Sequence, residues 1–350
     1  MKILNKNKIL FLIILIAFLT FSCSTGNEPE KEGNINIYLF EDSNLRWQDV
    51  QGRNPDSLRM IKWLTDDMIS SYDYSSHVIY LKDGAKEKLF ASEYLNHYRS
   101  RAFSMYVKGN RCYSGSLLYS GYIPTGSVYG DNIKGYSEDA IQIAGVWNFI
   151  NINESITLHN SKDVRSNDIL KNALLESGKF LPGINVTLDE ISFLKDSTLK
   201  LRGKVSITNN ENNPLLLPDI SYQISSSAIS TSFHQQIFFY NENKMYWLHT
   251  SDKTLECSLL DNYTLVKLNK NETKTFYFNS PLQNAQNSDY PPDGNYYCYF
   301  MYFGIMQCKK SERMKDNARL WMGSRKSNTM YVNFDRQKGI TILSKDVAFE

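Results

Sequence analysis

Histidine is scarce in this chain, and none of it is arranged for catalysis or metal binding. The five histidines are His77, His97, His159, His234 and His249. No two lie four apart, and there is no H-E-x-x-H, so a helical zinc-protease site is excluded. No C-x-x-C occurs, which removes zinc ribbons and thioredoxin-type redox pairs. A G-x-S-x-G elbow, a phosphate-binding loop, a dinucleotide fingerprint and a calcium loop are missing as well. The chain therefore presents no catalytic and no metal-binding signature. An excess of one charge sign is also lacking. Lys and Arg total 39 against 37 Asp and Glu, and the two signs are interspersed. A surface of that kind does not neutralise phosphates, so nucleic acid is not an expected partner. Finally, no apolar run reaches the roughly 20 residues of a membrane-spanning helix.

The longest apolar run is Ile9 to Leu19. Lys2, Lys6 and Lys8 precede it, and Thr20-Phe21-Ser22-Cys23 follow it. A basic n-region, a short apolar h-region and a small residue before the cut are the parts of a signal peptide. With a cysteine at the cut, the arrangement resembles the leader and lipobox of a bacterial lipoprotein. Thr20 stands where many such leaders carry Leu. The resemblance implies removal of residues 1–22 and lipidation of Cys23, which would hold the protein to a membrane. Loss of the leader's three lysines turns the formal charge of +2 into about −1. Residues 23–33 are polar and acidic, with nothing to bury, and are expected to form a disordered tether. Glu28, Glu30 and Glu32 follow the cysteine closely. In lipoproteins of the Bacteroidota a similar acidic stretch accompanies export to the outer face of the outer membrane, which sets the expected location.

Beyond Cys23 lie Cys112, Cys257, Cys298 and Cys308. An exported protein can form disulfides. Four cysteines allow three pairings, and free buried thiols fit the sequence equally well.

Tyrosine (23) and phenylalanine (18) are abundant, a composition that suits strands and half-buried sheets. Alternation marks a strand at Ile35–Phe40. Asn54, Pro55 and the spacing of Leu58, Ile61, Leu64 and Met68 predict a helix over roughly 55–71. His77 to Leu81 reads as a strand, and residues 103–114 as a hairpin with its tip at Gly109-Asn110. Ala140 to Ile152 reads as one or two buried strands. Asn167-Asp168 is expected to cap a short helix that ends before Gly178. Residues 186–193 and 199–210 read as strands, the second with Leu199, Leu201, Gly203, Val205 and Ile207 on one face. A turn near 268–272 leads into another strand. Residues 318–323 and 329–334 suggest a further hairpin.

The pattern Gly203-Lys-Val, the turn at 268–272 and Asp293-Gly-Asn-Tyr-Tyr-Cys298 resemble parts of bacterial immunoglobulin-like modules. Tyr296, two residues before Cys298, resembles their tyrosine corner. The expected fold class is thus mainly β. An N-terminal α+β domain (34–181) is followed by an immunoglobulin-like β-sandwich (182–350).

Two aromatic regions are candidate binding surfaces. The Gly-rich stretch 114–136 carries Tyr119, Tyr122, Tyr129 and Tyr136, a loop composition suited to recognition. The run from Tyr296 to Phe303 alternates two faces. One holds Tyr296, Cys298, Phe300 and Tyr302, and the other Tyr297, Tyr299, Met301 and Phe303. A run apolar on both faces is the pattern of a central strand. Where the second face meets solvent, Tyr297 and Tyr299 would stack a sugar ring or a protein partner. The adjacent acids Asp66-Asp67 and Asp189-Glu190 read as solvated, since neighbours on a strand face opposite sides. The expected function is a non-catalytic binding or assembly module at the cell surface, without a cofactor, whose partner is a glycan or a protein. A surface hydrolase with scattered acids is the second expectation.

Overall fold

The computed structural model describes residues 34–42, 44–45, 57–90, 101–117, 135–137, 139–143, 165–195, 199–220, 223–225, 236–241, 245–249, 254–256, 265–281, 291–304 and 310–345. Cys23, Tyr119, Tyr122, Tyr129, Cys257 and Cys308 lie outside these residues. The protein is mainly β. Among the described residues, two short α-helices, Ala85–Phe90 and Asp168–Glu176, accompany several largely antiparallel sheets. No helix among them is long and apolar enough to cross a membrane.

The first core lies between two sheets. Ile35–Phe40 and Arg101–Val107 are the inner strands of a four-stranded antiparallel sheet, flanked by Met60–Leu64 and Asn110–Leu117. The second sheet runs Gly135–Ser137, Ala140–Gln142, Val78–Leu81, Ile69–Asp73 and Phe180–Leu181. Ile35, Ile37 and Leu39 fill the core together with Phe103, Met105, Tyr72 and Ile79. The helix Asp168–Glu176 closes it with Leu170, Ala173 and Leu174. Asn167 caps this helix by accepting the Ile169 amide at 2.8 Å, which satisfies one of the amides left open at a helix start. Gly178, at φ +68°, ends it.

Residues 55–71 are not a helix in their described part. Met60–Leu64 and Ile69–Asp73 are strands, joined by a single 3-10 turn at Asp66–Met68. The three-and-four spacing misled because the side chains that enter the core are Trp63, Leu64, Ile69 and Tyr72. Ile61 and Met68, members of the proposed helical stripe, are only half-buried.

Beyond Pro182-Gly183 the chain enters a second core. Ile184–Lys195, Leu199–Asn209 and Thr273–Pro281 form a three-stranded antiparallel sheet. Opposite it stands a five-stranded antiparallel sheet in the order Met245–His249, Gln236–Tyr240, Gly294–Phe303, Ser324–Asp335 and Gly339–Ser344. Val186, Leu188, Leu201, Val205, Phe276 and Phe278 pack against Ile237, Phe239, Phe300, Met330, Val332 and Phe334. The result is sandwich-like, with rings bridging the layers. The Phe278 and Phe300 rings stack at 5.7 Å, and Phe193 meets Phe334 edge-on at 4.8 Å. The hairpin expected between 318–323 and 329–334 does not form. Ser324–Asp335 turns instead into Gly339–Ser344, while Ala318–Leu320 joins a separate sheet beside Leu215–Pro218. Cys112 and Cys298 carry free thiols, and burial raises the pKa of both.

Candidate functional site

Two constellations stand out, one aromatic and one ionic. The first is the outer face of the five-stranded sheet. Alternation on Gly294–Phe303 sends Tyr296, Cys298, Phe300 and Tyr302 into the sandwich core. Tyr297, Tyr299, Met301 and Phe303 go to the other face, where they meet Phe238 and Tyr240 of the neighbouring strand. Register makes the platform. Tyr240 stands opposite Tyr297 and Phe238 opposite Tyr299 on one side, and Tyr331 opposite Tyr297 on the other. Phe238 stacks on Tyr299 at 5.0 Å and Tyr240 on Tyr297 at 5.2 Å, while Tyr331 tilts against Tyr297 at 5.0 Å. The Lys326 ammonium lies 4.3 Å from the Tyr299 ring centre, a cation–π contact. Trp247 is the register partner of Phe238.

Exposure divides this platform. Phe238, Tyr240, Tyr299 and Met301 are buried, whereas Tyr297, Phe303 and Tyr331 are half-buried and Lys326 is exposed. Burial raises the phenol pKa values of Tyr240 and Tyr299, so both keep their protons at neutral pH. Of the two sequence-selected tyrosines here, Tyr299 sits at the closed centre and Tyr297 on the open rim. Tyr136 belongs to the strand Gly135–Ser137, whose side chains are not among those described.

The second constellation joins the two cores. Segment 310–325 of the second core lies on the sheet of the first and carries a series of cations. Lys310 pairs with Asp83, and Arg313 with Asp139. Arg319 donates from Nη2 to Asp73 at 2.9 Å and to Glu211, from Nε to Glu211 at 3.3 Å, and from Nη1 to the Tyr80 hydroxyl at 2.5 Å. Asp73, Glu211 and Arg319 are 0%, 3% and 9% exposed. Isolated charges at that depth would be expelled, so the pairing is what makes their burial tolerable. The turn after Asp73 completes the joint. Asp73 Oδ1 accepts the Ser75 amide, the Ser76 amide and the Ser75 hydroxyl. Ser75 Oγ in turn accepts the Ile184 amide at 3.0 Å and the Trp321 indole N–H at 3.2 Å. Gly183 passes beside this turn at φ +67°, and a Cβ there would overlap Ser75 and Asp73. An apolar cluster of Val78, Tyr80, Leu216, Leu320 and Met322 surrounds the ions.

Sequence reasoning missed this joint. Asp73, Glu211 and Arg319 form no motif, being brought together across 246 and 108 residues. One signal was present. Arg319 is a lone cation in the apolar run Ala318-Arg-Leu-Trp-Met322, and a charge there must find a buried partner. Chemically, the Ser75 hydroxyl does touch the Asp73 carboxylate, but both are buried and the hydroxyl also accepts the Ile184 amide and the Trp321 indole. The donors and acceptors of the joint are turned on one another.

Comparison with family models, with curated proteins and with solved structures returned no match.

Proposed function

We propose that this chain is a cell-envelope lipoprotein, anchored at Cys23, that acts as a non-catalytic binding or assembly module at the cell surface. The observation that carries this reading is the aromatic outer face of the five-stranded sheet. Tyr297, Tyr331 and Phe303 are half-buried around Tyr299, whose ring carries the exposed Lys326. Such a rim offers flat apolar area with polar tips, the chemistry that stacks a sugar ring or a protein side chain. The buried centre beneath it holds these rings in fixed positions, which lowers the entropy lost on binding. The joint between the cores supports the same reading, because its acids hold the cores together. The second core reads as immunoglobulin-like. The Tyr296 hydroxyl donates to the Pro292 carbonyl at 2.8 Å, as the tyrosine of a tyrosine corner does.

The test combines fractionation and binding. Cys23→Ala moves the protein from the membrane to the soluble fraction with its near-ultraviolet circular dichroism unchanged. On a glycan panel and on isolated envelopes, Tyr297→Ala and Tyr331→Ala weaken retention of that soluble form about tenfold, on the order of 1.4 kcal/mol. Membrane retention of Cys23→Ala would count against the anchor. Turnover of a glycan or peptide by the soluble form would replace this reading with the hydrolase one.

A further inference from the structure

We infer that Asp73, Glu211 and Arg319 form a proton-binding joint. Two carboxylates, one from each core, share a single buried guanidinium. Glu211 takes up a proton as the medium turns acid, and the two cores hold each other more firmly in acid than at neutral pH. This inference is independent of what the aromatic face binds.

The ion pairing at the joint is uneven. The groups that face one another there are Asp73, Asp139 and Glu211, Arg313 and Arg319, and the Tyr80 phenol, while Arg325 donates to the Ser75 backbone carbonyl and to neither of the two carboxylates that Arg319 holds. Arg313 is taken by Asp139. That leaves two carboxylates on Arg319, both reaching the same Nη2. The Tyr80 phenol does not compensate, because burial raises its pKa and keeps it neutral. An uncompensated negative charge in a dry site is costly, and neutralisation by a proton is the usual relief.

The donors indicate where the proton goes. Asp73 accepts four donors, three of them from its own turn. Glu211 lacks such a turn. Its two oxygens depend on the Nη2 and Nε of Arg319, with the Gly183 backbone beside them. Burial accordingly raises the pKa of the Glu211 carboxyl, even against the pull of Arg319. Burial also disfavours the charge on Arg319. Tyr80, Asp73 and Glu211 together outweigh that and raise its pKa, so the guanidinium stays charged.

The sign follows from linkage. The folded joint binds a proton that the unfolded chain, with its glutamate near pH 4.3, has already released. Stability from this group is therefore complete below the unfolded value. It is lost as pH rises through the raised folded value.

The experiment is thermal unfolding of the full chain in detergent micelles from pH 8 to pH 5. Glu211→Gln carries a neutral side chain of the same shape and stands in for the protonated state. It is expected to melt above the wild type at pH 8 by on the order of 3 °C, and the gap closes as the pH falls to 5. A gap independent of pH, or a variant less stable than wild type throughout, overturns the inference. Should the variant fail to fold, carboxyl 13C spectra of glutamate-labelled wild type give a second reading. One resonance is expected to titrate above the rest, and Glu211→Asp deletes it. Titration of every glutamate in the ordinary range would refute the joint's proton.

Discussion

Arg319 ties the two cores together through one side chain. Its guanidinium serves Asp73, Glu211 and Tyr80 at once, and the carboxylates come from different cores. Only a planar fork reaches three partners in this way. Arg319→Met keeps most of the volume and leaves both carboxylates buried without a cation. The expected loss is about 3–5 kcal/mol, read from urea unfolding at pH 7. Arg319→Lys restores the charge without the fork and is expected to recover only part of it. At this scale the sequence was least legible. The meaning of Arg319 depends on Asp73 and Glu211, and neither lies near it in the chain. Asp73 is one acid among 37 acidic residues, with nothing local to single it out.

Strands are where alternation speaks most clearly. The two faces of Gly294–Phe303 were legible because burial on both sides of a central strand leaves an unbroken apolar run. The alternation of Leu199–Asn209 was equally plain, and its one small residue has a partner. Gly203 stands opposite Phe278, and a Cβ at 203 would overlap that ring. Gly203→Ala is therefore expected to cost about 1–3 kcal/mol through overpacking. Phe278→Leu in the same chain should relieve part of it, a coupling that a double-mutant cycle measures. Short elements were less legible. Leu58, Ile61, Leu64 and Met68 fit a helical stripe as spacing alone. The structure breaks the segment at Asp66–Met68 so that Trp63, Leu64 and Ile69 can enter the core. Propensity in a window of that length is a weak preference, and tertiary burial overrode it. The rim of the aromatic platform was half legible. Tyr297 could be placed on the outer face, but the register partners that complete the platform, Tyr240 and Tyr331, lie on strands distant in the chain.

Two cores, an apolar cluster shared between them and an ionic joint make the described molecule one body. A single calorimetric transition is the expected behaviour of the full chain, since unfolding one core would strand the buried charges of the other. Arg319→Met should split that transition in two, and a second peak already present in the wild type would show the joint to be weaker than its burial implies. The mainly β class and the alternating strands at 186–193 and 199–210 were within reach of the sequence because alternation is a local mark. The fit between the cores was not, because it is written in residues that meet only after everything else has formed. That timing has a consequence for biosynthesis. Asp73 leaves the ribosome 246 residues before Arg319. Contacts of such separation close late, after local pairings are in place. The first core must therefore stand with a naked acid on its surface until the last tenth of the chain arrives. A nascent chain stalled before residue 310 would expose Asp73, Asp139 and the apolar patch of Val78 and Tyr80 together, which is the moment at which this protein is most open to capture by a chaperone or to aggregation.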